Sequence, residues 1–409
     1  MNIQKNTLIL IIVASLGYFV DIYDLILFNI VKKESLLYLG FREAEIKHYD
    51  AFLFRWQMGG MLLGGILWGV MGDRRGRVTV LFGSIIMYSL ANIANAYVWD
   101  ITSYQIIRFL AGIGLAGELG AGITLVAETM PKEKRGYGTM IIVSFGALGA
   151  VFAYFVADYF NWKAAYWVGG LMGLALLGLR MGAHESGMFK SMQEHSHIKR
   201  GQFMDLFRQK QRAIKYLKCI GLGLPVWFVV GVLVALSESY FEPVLFLTGN
   251  IEVARAVMFC YVGLTLGDFV SGFSSQMFKN RLKIVASFLI FCFLCTLVYL
   301  FGAYKTSPNF FYALCLISGA ATGYWAMFVT IAAEQFGTNI RSTVASTVPN
   351  FVRGSVIPIT FSFELLANHS GLGPIYAALV VGLICIGIAL YSTLTLPETF
   401  NKELNYHEQ

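Results

Sequence analysis

The chain has 409 residues, of which 57% are hydrophobic, 15% aromatic and only 13% charged, with a formal net charge of +7. A soluble domain carries roughly twice that charged fraction, and the charges here lie in short clusters between apolar blocks of about 20 to 25 residues, long enough to cross a bilayer as helix. This composition excludes a water-soluble protein and predicts a polytopic membrane protein.

The apolar blocks predict an all-α integral membrane protein with twelve transmembrane helices. They cover residues 7–31, 49–71, 78–98, 102–127, 137–160, 162–182, 214–236, 254–278, 283–303, 309–333, 343–366 and 372–396. The longest polar break, 183–213, predicts a linker between an N-terminal six-helix bundle (1–182) and a C-terminal one (214–396), with a tail at 397–409. The six cysteines lie in or beside apolar blocks without metal-ligand spacing, so we expect no disulfide, metal ion or other cofactor.

Lysine and arginine set the expected orientation. With both termini inside, 21 basic residues lie on the inner side, 7 on the outer side and three within the spans. Because basic loops stay in the cytoplasm, both termini are predicted to be cytoplasmic. The net positive charge thus follows from membrane topology, and we expect no nucleic-acid partner.

The first helix carries two aspartates inside the apolar run GYFVDIYDLILFNIV, residues 17–31. One charge at the bilayer centre costs about 2.5 to 3.5 kcal/mol, so Asp21 and Asp24 must face a partner or a water-filled cleft. At 1.5 Å per residue, Arg55 in the second helix lies at about the depth of Asp24, and we expect these two to pair. An anionic substrate that competes for Arg55 would then leave an aspartate to take up a proton.

The loop after the second helix, GGILWGVMGDRRGRV, resembles the signature loop of the major facilitator superfamily. The matching residues are Gly69, Asp73, Arg74, Gly76 and Arg77. The resemblance implies a latch between two halves at the cytoplasmic end. Small residues permit close helix contact, and we expect Asp73 to stabilise a helix N-terminus across the interface while the arginines pair with acids.

The fourth helix reads RFLAGIGLAGELGAG, which satisfies the glycine pattern of a dinucleotide fold at Gly112, Gly114 and Gly117. We reject that interpretation because no strand precedes the glycines. The segment is instead similar to the superfamily's fourth-helix motif, an arginine followed by glycines, with Arg108 as the arginine. Glu118, slightly inward of the helix centre, would carry a proton onward or bind a cationic group.

An internal duplication relates the two halves. AETMPKEKRG (127–136) resembles AEQFGTNIRS (333–342), at an offset of 206 that aligns Glu128 with Glu334 and Arg135 with Arg341. The same offset aligns further positions: Arg75 with Arg281, Arg77 with Lys283 and Gly117 with Gly323. We predict two pseudo-symmetric bundles with the substrate site between them, and a cytoplasmic gate that includes these four charged residues. The second loop, FKNRLK, lacks the acid, so only the first latch is predicted.

The C-terminal half adds Asp268 and Arg353 as charges within spans. Arg353 lies among prolines and a glycine in VPNFVRGSVIP, and one arginine from each half would clamp a substrate with two or more carboxylates. The predicted substrate contacts are Arg55, Glu118, Arg353, Tyr23, Trp56, Tyr324 and Trp325. Proton coupling is predicted for Asp21, Asp24, Arg108 and Asp268. Tyr18 and Trp227 are further candidates for the cavity wall. Buried ion pairs that only fix helix packing stay an alternative, above all for Asp268 and Arg353.

VDIYDL resembles the acid–aromatic–aromatic–Asp motif of the metabolite:proton symporter branch, which includes carriers of proline/betaine, citrate and 2-oxoglutarate. Ile22 replaces one aromatic, while GELGAG and AETMPKEKRG also look like that branch. The resemblance implies proton-coupled import of a small organic anion or zwitterion by alternating access across a bacterial inner membrane. Carboxylates, polycarboxylate chelates and amino acids all stay open as substrates.

The main alternative is an exporter or uniporter of the same superfamily. It is disfavoured because the fifth helix, SFGALGAVFAYF, lacks the proline of the antiporter signature. An integral-membrane enzyme would need a nucleophile–base or metal-ligand cluster, and a channel needs neither latch nor alternating halves. We therefore expect a non-enzymatic, monomeric transporter whose partners are a small-molecule substrate, protons and the lipid bilayer.

Overall fold

The computed structural model describes residues 5–180 and 200–408. These residues form twelve long helices, as expected, in two groups of six. The N-half contains α1 (Lys5–Tyr38), α2 (Glu43–Arg75), α3 (Arg77–Asn95), α4 (Ile101–Leu115 and Glu118–Thr129), α5 (Arg135–Tyr159) and α6 (Trp162–Leu179). The C-half contains α7 (Lys210–Phe228, continued by Val229–Val234), α8 (Val253–Phe278), α9 (Arg281–Leu297, continued by Val298–Gly302), α10 (Pro308–Ala321 and Trp325–Glu334), α11 (Arg341–Gly354 and Val356–His369) and α12 (Gly373–Thr395).

Ten of the described helices are long and apolar enough to span a membrane. The other two are α2, which contains six glycines and several charged residues, and α11, whose first segment is rich in polar residues; they contact each other between the halves. The predicted linker lies partly outside the described residues: the structure resumes at residue 200, and α7 begins at Lys210, four residues before the predicted start. A one-turn helix, Asp205–Arg208, precedes α7.

Glycines on two faces of α2 decide how that helix is rotated. A Cβ atom on Gly60 or Gly64 would collide with the backbone of α4, and one on Gly69 would lie 2.8 Å from the Cα atom of Thr343 in α11. Close backbone approach of this kind requires small residues. The α2 helix therefore packs closely against α4 of its own half on one face and against the first segment of α11 on the other.

Both α4 and α10 are interrupted at matching places. The break in α4 includes Gly117 and that in α10 includes Gly323, which are 206 residues apart. A Cβ atom on Gly323 would collide with the backbone of α8 at Gly267 and Asp268. The second segments of α4 and α10 begin at these breaks. Glu118 therefore lies in the first turn of one segment, and Asp268 lies beside the N-terminus of the other.

The two halves meet along α2–α11 and α5–α8. One end of the bundle carries the α2–α3, α4–α5, α8–α9 and α10–α11 loops and residues 397–408. We call it the inner end. Polar contacts join the halves there, and further in Asn350 Nδ2 donates to Ala116 O at 2.9 Å and Thr330 Oγ1 to Thr139 Oγ1 at 2.9 Å. The halves are closed against each other at the inner end, and a cavity remains between them nearer the centre.

Candidate functional site

The central cavity is lined by both halves and is small in this closed arrangement, with a volume of about 20 Å³. Its walls are mainly aliphatic and aromatic: Tyr18, Ile22, Leu25, Ala147, Val226, Trp227, Val230, Tyr261, Leu264, Trp325 and Arg353. Among these lining residues Arg353 is the charged one. An apolar pocket with few, defined polar groups is the usual form of a small-molecule site.

Arg353 joins the two halves through Asp21. Its Nη2 atom lies 3.3 Å from Asp21 Oδ2 and 3.4 Å from the Tyr18 hydroxyl, while Nη1 lies 3.5 Å from Asn350 Oδ1. Asp21 and Arg353 are both buried, and the guanidinium carbon lies 5.9 Å from the ring centre of Trp325. These contacts are long for hydrogen bonds, and Asp21 Oδ1 makes none to the described residues. The pair is thus buried but loosely held.

The position of Arg353 follows from α11. The helix is interrupted after Gly354, and Arg353 lies in the last turn of the first segment. Ser355 between the two segments keeps helical backbone angles. Arg353 therefore lies within a nearly continuous α11, where the helix borders the cavity.

Asp24 and Arg108 form a second buried pair inside the N-half. Arg108 Nη1 lies 3.9 Å from Asp24 Oδ1, and the guanidinium carbon lies 4.8 Å from the ring centre of Phe28 and 5.9 Å from that of Tyr166. Both charged side chains are fully buried. Neither of them is among the residues that line the central cavity.

The expected pairing of Arg55 with Asp24 is wrong. Arg55 is exposed on the bundle surface and shares its face of α2 with Trp56, Leu63 and Leu67. Spacing along a helix gives the depth of a residue but not the direction of its side chain. The glycine face of α2 turns towards α4, and this rotation directs Arg55 away from Asp24 and from the cavity, so no arginine clamp from both halves forms.

Glu118 pairs with Arg180, a partner that the sequence analysis missed. Arg180 Nη1 donates to Glu118 Oε2 at 2.9 Å and to Leu81 O at 2.9 Å, and Nη2 donates to Glu118 Oε1. Both side chains are buried against Gly17 of α1. Glu118 is not a lining residue of the cavity. Arg180 directly follows the last residue of α6, at the inner end of the sixth predicted span.

Asp268 caps a helix segment. Its Oδ1 atom accepts a hydrogen bond of 2.8 Å from Ala326 N, at the start of the second segment of α10. Its Oδ2 atom has no hydrogen bond to the described residues. Asp268 thus fixes helix packing as a cap and not through the buried ion pair that the sequence left open for it.

Some of the aromatic residues predicted to contact substrate line the cavity, and others lie away from it. Trp325 lines the cavity, together with Tyr18 and Trp227, and Tyr261 on α8 was missed. Tyr23 instead donates to Ala165 O at 2.8 Å within the N-half, Tyr324 donates to Leu222 O at 3.0 Å within the C-half, and Trp56 is 40% exposed. These three lie away from the cavity.

At the inner end Asp73 lies on the N-terminus of α11, across the interface. Its carboxylate accepts hydrogen bonds from Ser342 N at 3.0 Å, Thr343 N at 2.8 Å and Thr343 Oγ1 at 2.7 Å. The first amide groups of a helix have no partner within the helix, so a carboxylate both satisfies them and interacts favourably with the helix dipole. Gly76, with φ of 106°, allows the tight turn from α2 into α3.

Glu128 joins three helices of this latch. It lies 2.8 Å from Arg77 Nη2 of its own half and 3.1 Å from Arg341 Nη1 of the other half. In the C-half Glu334 accepts from Arg281 at 2.9 Å to Nε and to Nη2. Arg77 thus corresponds to Arg281, and the offset of 206, which aligned Arg77 with Lys283, is wrong by two residues in this loop.

The other gate residues point elsewhere. Arg74 is exposed, and its Nε donates to Arg200 O at 3.4 Å. Arg135 Nη1 donates to the carbonyl oxygen of Lys402, beyond the end of α12, at 3.0 Å.

Among the described residues there is no group of three or more His, Cys, Asp or Glu side chains that could hold a metal ion.

Comparison with known proteins identifies the relatives of this chain. The family model of the Major Facilitator Superfamily matches residues 14–360. The niacin transporter NiaP of Acinetobacter baylyi (strain ATCC 33305 / BD413 / ADP1) is 26% identical over 379 residues, which cover 84% of each chain. The 3-(3-hydroxy-phenyl)propionate transporter of Escherichia coli (strain K12) is 26% identical over 339 residues, 81% of each chain. The structure of the proton:xylose symporter XylE, bound to 6-bromo-6-deoxy-D-glucose, has a similar fold, with a TM-score of 0.75, 16% identity and 98% of both chains covered.

Proposed function

This chain belongs to the Major Facilitator Superfamily, and from that premise we propose that it imports a small aromatic monocarboxylate together with a proton. It is a multi-pass membrane transporter of small organic acids and not an enzyme. Alternating access to the central cavity would expose the substrate first to one side of the membrane and then to the other.

The observation that carries the proposal is Arg353 on the cavity wall and its buried pair with Asp21. A guanidinium binds a carboxylate through two parallel hydrogen bonds, and the cavity offers one such group because Arg55 points away from it. The aromatic residues in the cavity wall, Tyr18, Trp227, Tyr261 and Trp325, suit a flat ring. Niacin and 3-(3-hydroxyphenyl)propionate, named for the two relatives, are aromatic monocarboxylates. We therefore favour one carboxylate on one ring over the polycarboxylates that the sequence left open.

The same pair supplies a route to proton coupling. A substrate carboxylate that binds Arg353 displaces Asp21, whose carboxylate then lies without a cation in an apolar cavity. Taking up one proton removes this unfavourable charge. A neutral Asp21 also no longer attracts α11 towards α1, so substrate and proton together loosen a contact between the halves. Release of the substrate lets Arg353 re-form its pair and expel the proton.

We propose the remaining roles on the same basis. Asp24 with Arg108 would serve as a second proton site within the N-half, and the latch around Asp73 and Glu128 as the gate at the inner end. The excess of basic residues in the inner loops supports a cytoplasmic location of both termini, in the inner membrane of a bacterium. Reporter fusions at each terminus test this orientation.

Uptake by purified protein in liposomes tests the proposal. The panel contains radiolabelled nicotinate, benzoate and 3-phenylpropionate, with citrate and xylose as chemically different compounds. Liposomes without protein correct for passive entry of the neutral acids. We expect an aromatic acid to accumulate when the interior is alkaline, and citrate and xylose to stay out. Transport of none of the aromatic acids would refute the substrate class.

Two substitutions test the mechanism with the transported acid. Asp21→Asn should abolish accumulation driven by the pH gradient but retain counterflow, the exchange of labelled for unlabelled substrate, because Arg353 stays free to bind. Arg353→Gln should abolish both. Undiminished gradient-driven accumulation in Asp21→Asn would refute the coupling role. Accumulation that ignores the pH gradient in the unmodified protein would favour the uniporter alternative.

A further inference from the structure

The pseudo-symmetry of the two halves is broken at the inner end. Glu128 holds an arginine of its own half and, across the interface, Arg341 of the other half. The residue that corresponds to Arg341 is Arg135, which would have to reach Glu334, but it donates to the carbonyl oxygen of Lys402. In the corrected register Met277 takes the place of Asp73, and its side chain is 57% exposed. Gln276, the residue before Met277, instead reaches the start of α5 across the interface, where its amide donates to Glu133 O at 3.0 Å and accepts from Gly136 N at 3.1 Å. The counterpart of the Asp73 contact is thus an uncharged one.

Residues 397–408, which we call the tail, cover the inner end of the C-half. Leu404 is fully buried, and its carbonyl oxygen accepts hydrogen bonds from Arg341 Nη2 at 2.5 Å and from Thr338 Oγ1 at 2.9 Å. The Glu398 carboxylate accepts from Leu282 N, at the start of α9, at 3.0 Å. Further along, Glu408 lies 3.3 Å from Lys215 Nζ. The tail is therefore anchored on its own half along its whole described length.

The middle of the tail also reaches the N-half, on both sides of the α4–α5 loop. Glu403 Oε1 lies 2.5 Å from Lys132 Nζ, and the neighbouring carbonyl oxygen of Lys402 accepts from Arg135 Nη1 at 3.0 Å. The arginine is buried, whereas the lysine is 38% exposed and the glutamate 75% exposed. An exposed ion pair contributes little by itself, so the buried hydrogen bond from Arg135 is the stronger of the two contacts.

We propose that the tail is a clasp that adds to this uncharged contact and holds the inner end closed. When the inner end opens, contacts between the tail and the C-half can move as one body, but those to Lys132 and Arg135 must break. The tail also accepts a hydrogen bond from Arg341, the arginine that reaches Glu128 across the interface. Docking of the tail therefore stabilises the state in which substrate cannot leave inwards. This inference rests on the alternating access of the proposed function and is independent of the substrate.

Reversible cross-linking of the full-length chain tests the clasp. Lys132→Cys with Glu403→Cys ties the tail to the N-half, and a bifunctional thiol reagent with a cleavable disulfide joins the two cysteines. We expect the cross-link to abolish uptake and a reductant to restore it. The matched control is Lys215→Cys with Glu408→Cys, which ties the tail to its own half and should leave uptake unchanged. The native cysteines Cys219, Cys260, Cys292, Cys295, Cys315 and Cys385 are all buried, which limits background reaction.

A second measurement does not require a transported substrate. Ser346→Cys places a thiol in the buried contact of α11 with Gly120, where a maleimide added at the inner face reacts only after the inner end opens. Adding Arg135→Gln and Glu403→Gln should raise this labelling rate about two- to tenfold, because a buried hydrogen bond and an exposed ion pair are both lost.

Three results would overturn the clasp. The first is full uptake by the cross-linked Lys132→Cys, Glu403→Cys protein, and the second is failure of that pair to cross-link in membranes. The third is an unchanged labelling rate of Ser346→Cys after Arg135→Gln and Glu403→Gln are added. If no panel compound is transported by the unmodified chain, the proposed substrate class fails, and the labelling rate alone decides on the clasp.

Discussion

The contact of Asp73 with the N-terminus of α11 predicts that Asp73→Asn opens the inner end. The carboxylate accepts three hydrogen bonds from Ser342 and Thr343, all of them across the interface and present only while the inner end is closed. Asparagine keeps one acceptor oxygen, removes the negative charge, and turns an amide N–H₂ group towards backbone N–H groups.

The size of the effect follows from the bonds that are lost. A hydrogen bond to a charged group contributes about 1.5 to 3 kcal/mol, and the charge at a helix N-terminus about 0.3 to 1 kcal/mol more. A net loss of about 2 to 3 kcal/mol would raise the ratio of open to closed protein about 30- to 150-fold. The labelling rate of Ser346→Cys from the inner face should rise accordingly, since at low reagent concentration it follows the open population.

Arg74→Gln is the matched control for Asp73→Asn. It removes a neighbouring charge of the same loop, but Arg74 is exposed and contacts only the carbonyl oxygen of Arg200 among the contacts described. Its labelling rate should stay within about twofold of the parent, the scale expected for an exposed contact. Equal labelling of Asp73→Asn and the parent, or an Arg74→Gln effect as large as that of Asp73→Asn, would refute the reasoning.

Three further outcomes follow from the structure. Gly69→Val should block closure and slow uptake, because its side chain would strike Thr343 of α11, whereas Gly59→Val, whose nearest neighbour lies 3.9 Å away, should be tolerated in the same uptake assay. Arg180→Gln should cost about 3 to 5 kcal/mol and lower the melting temperature in detergent, because it leaves a buried carboxylate unpaired, and adding Glu118→Gln should recover most of that loss. Uptake of a monocarboxylate with one proton moves no net charge, so imposing a potassium diffusion potential should not change the initial rate, and a clear change would exclude this stoichiometry.

The fold could be read from the sequence because hydropathy reports depth in the membrane. Apolar blocks, basic loops and a signature loop were sufficient for twelve helices in two groups. The same reasoning failed for Arg55, since depth contains no information on the rotation of a helix about its axis. That rotation depends on which neighbour accepts the glycine face of α2, a property of the packed bundle. The buried pair that joins the halves therefore uses Arg353 instead.

Other parts of the site could not be predicted because their partners are distant in the chain. The Glu118–Arg180 pair joins residues 62 positions apart, and Arg180 resembles any basic residue at the end of a span. The two-residue error in the alignment of Arg77 arose because repeats can differ in loop and helix length while their ion pairs are retained. The tail is a polar segment after the last span, and neither hydropathy nor charge pattern indicates where such a segment docks.

The first segment of α11 connects the cavity with the gate. Arg341–Gly354 is one 14-residue helix segment, about 20 Å long, whose N-terminus binds Asp73 and whose last turn carries Arg353. A substrate that separates Arg353 from Asp21 acts on one end of this segment, and the latch acts on the other end. In the proposed mechanism, loss of the contact in the cavity would lower the cost of breaking the latch, because both contacts are made by this one segment. Pro349 lies inside the segment, and a proline removes a hydrogen bond within a helix, so bending there competes with transmission from one end to the other.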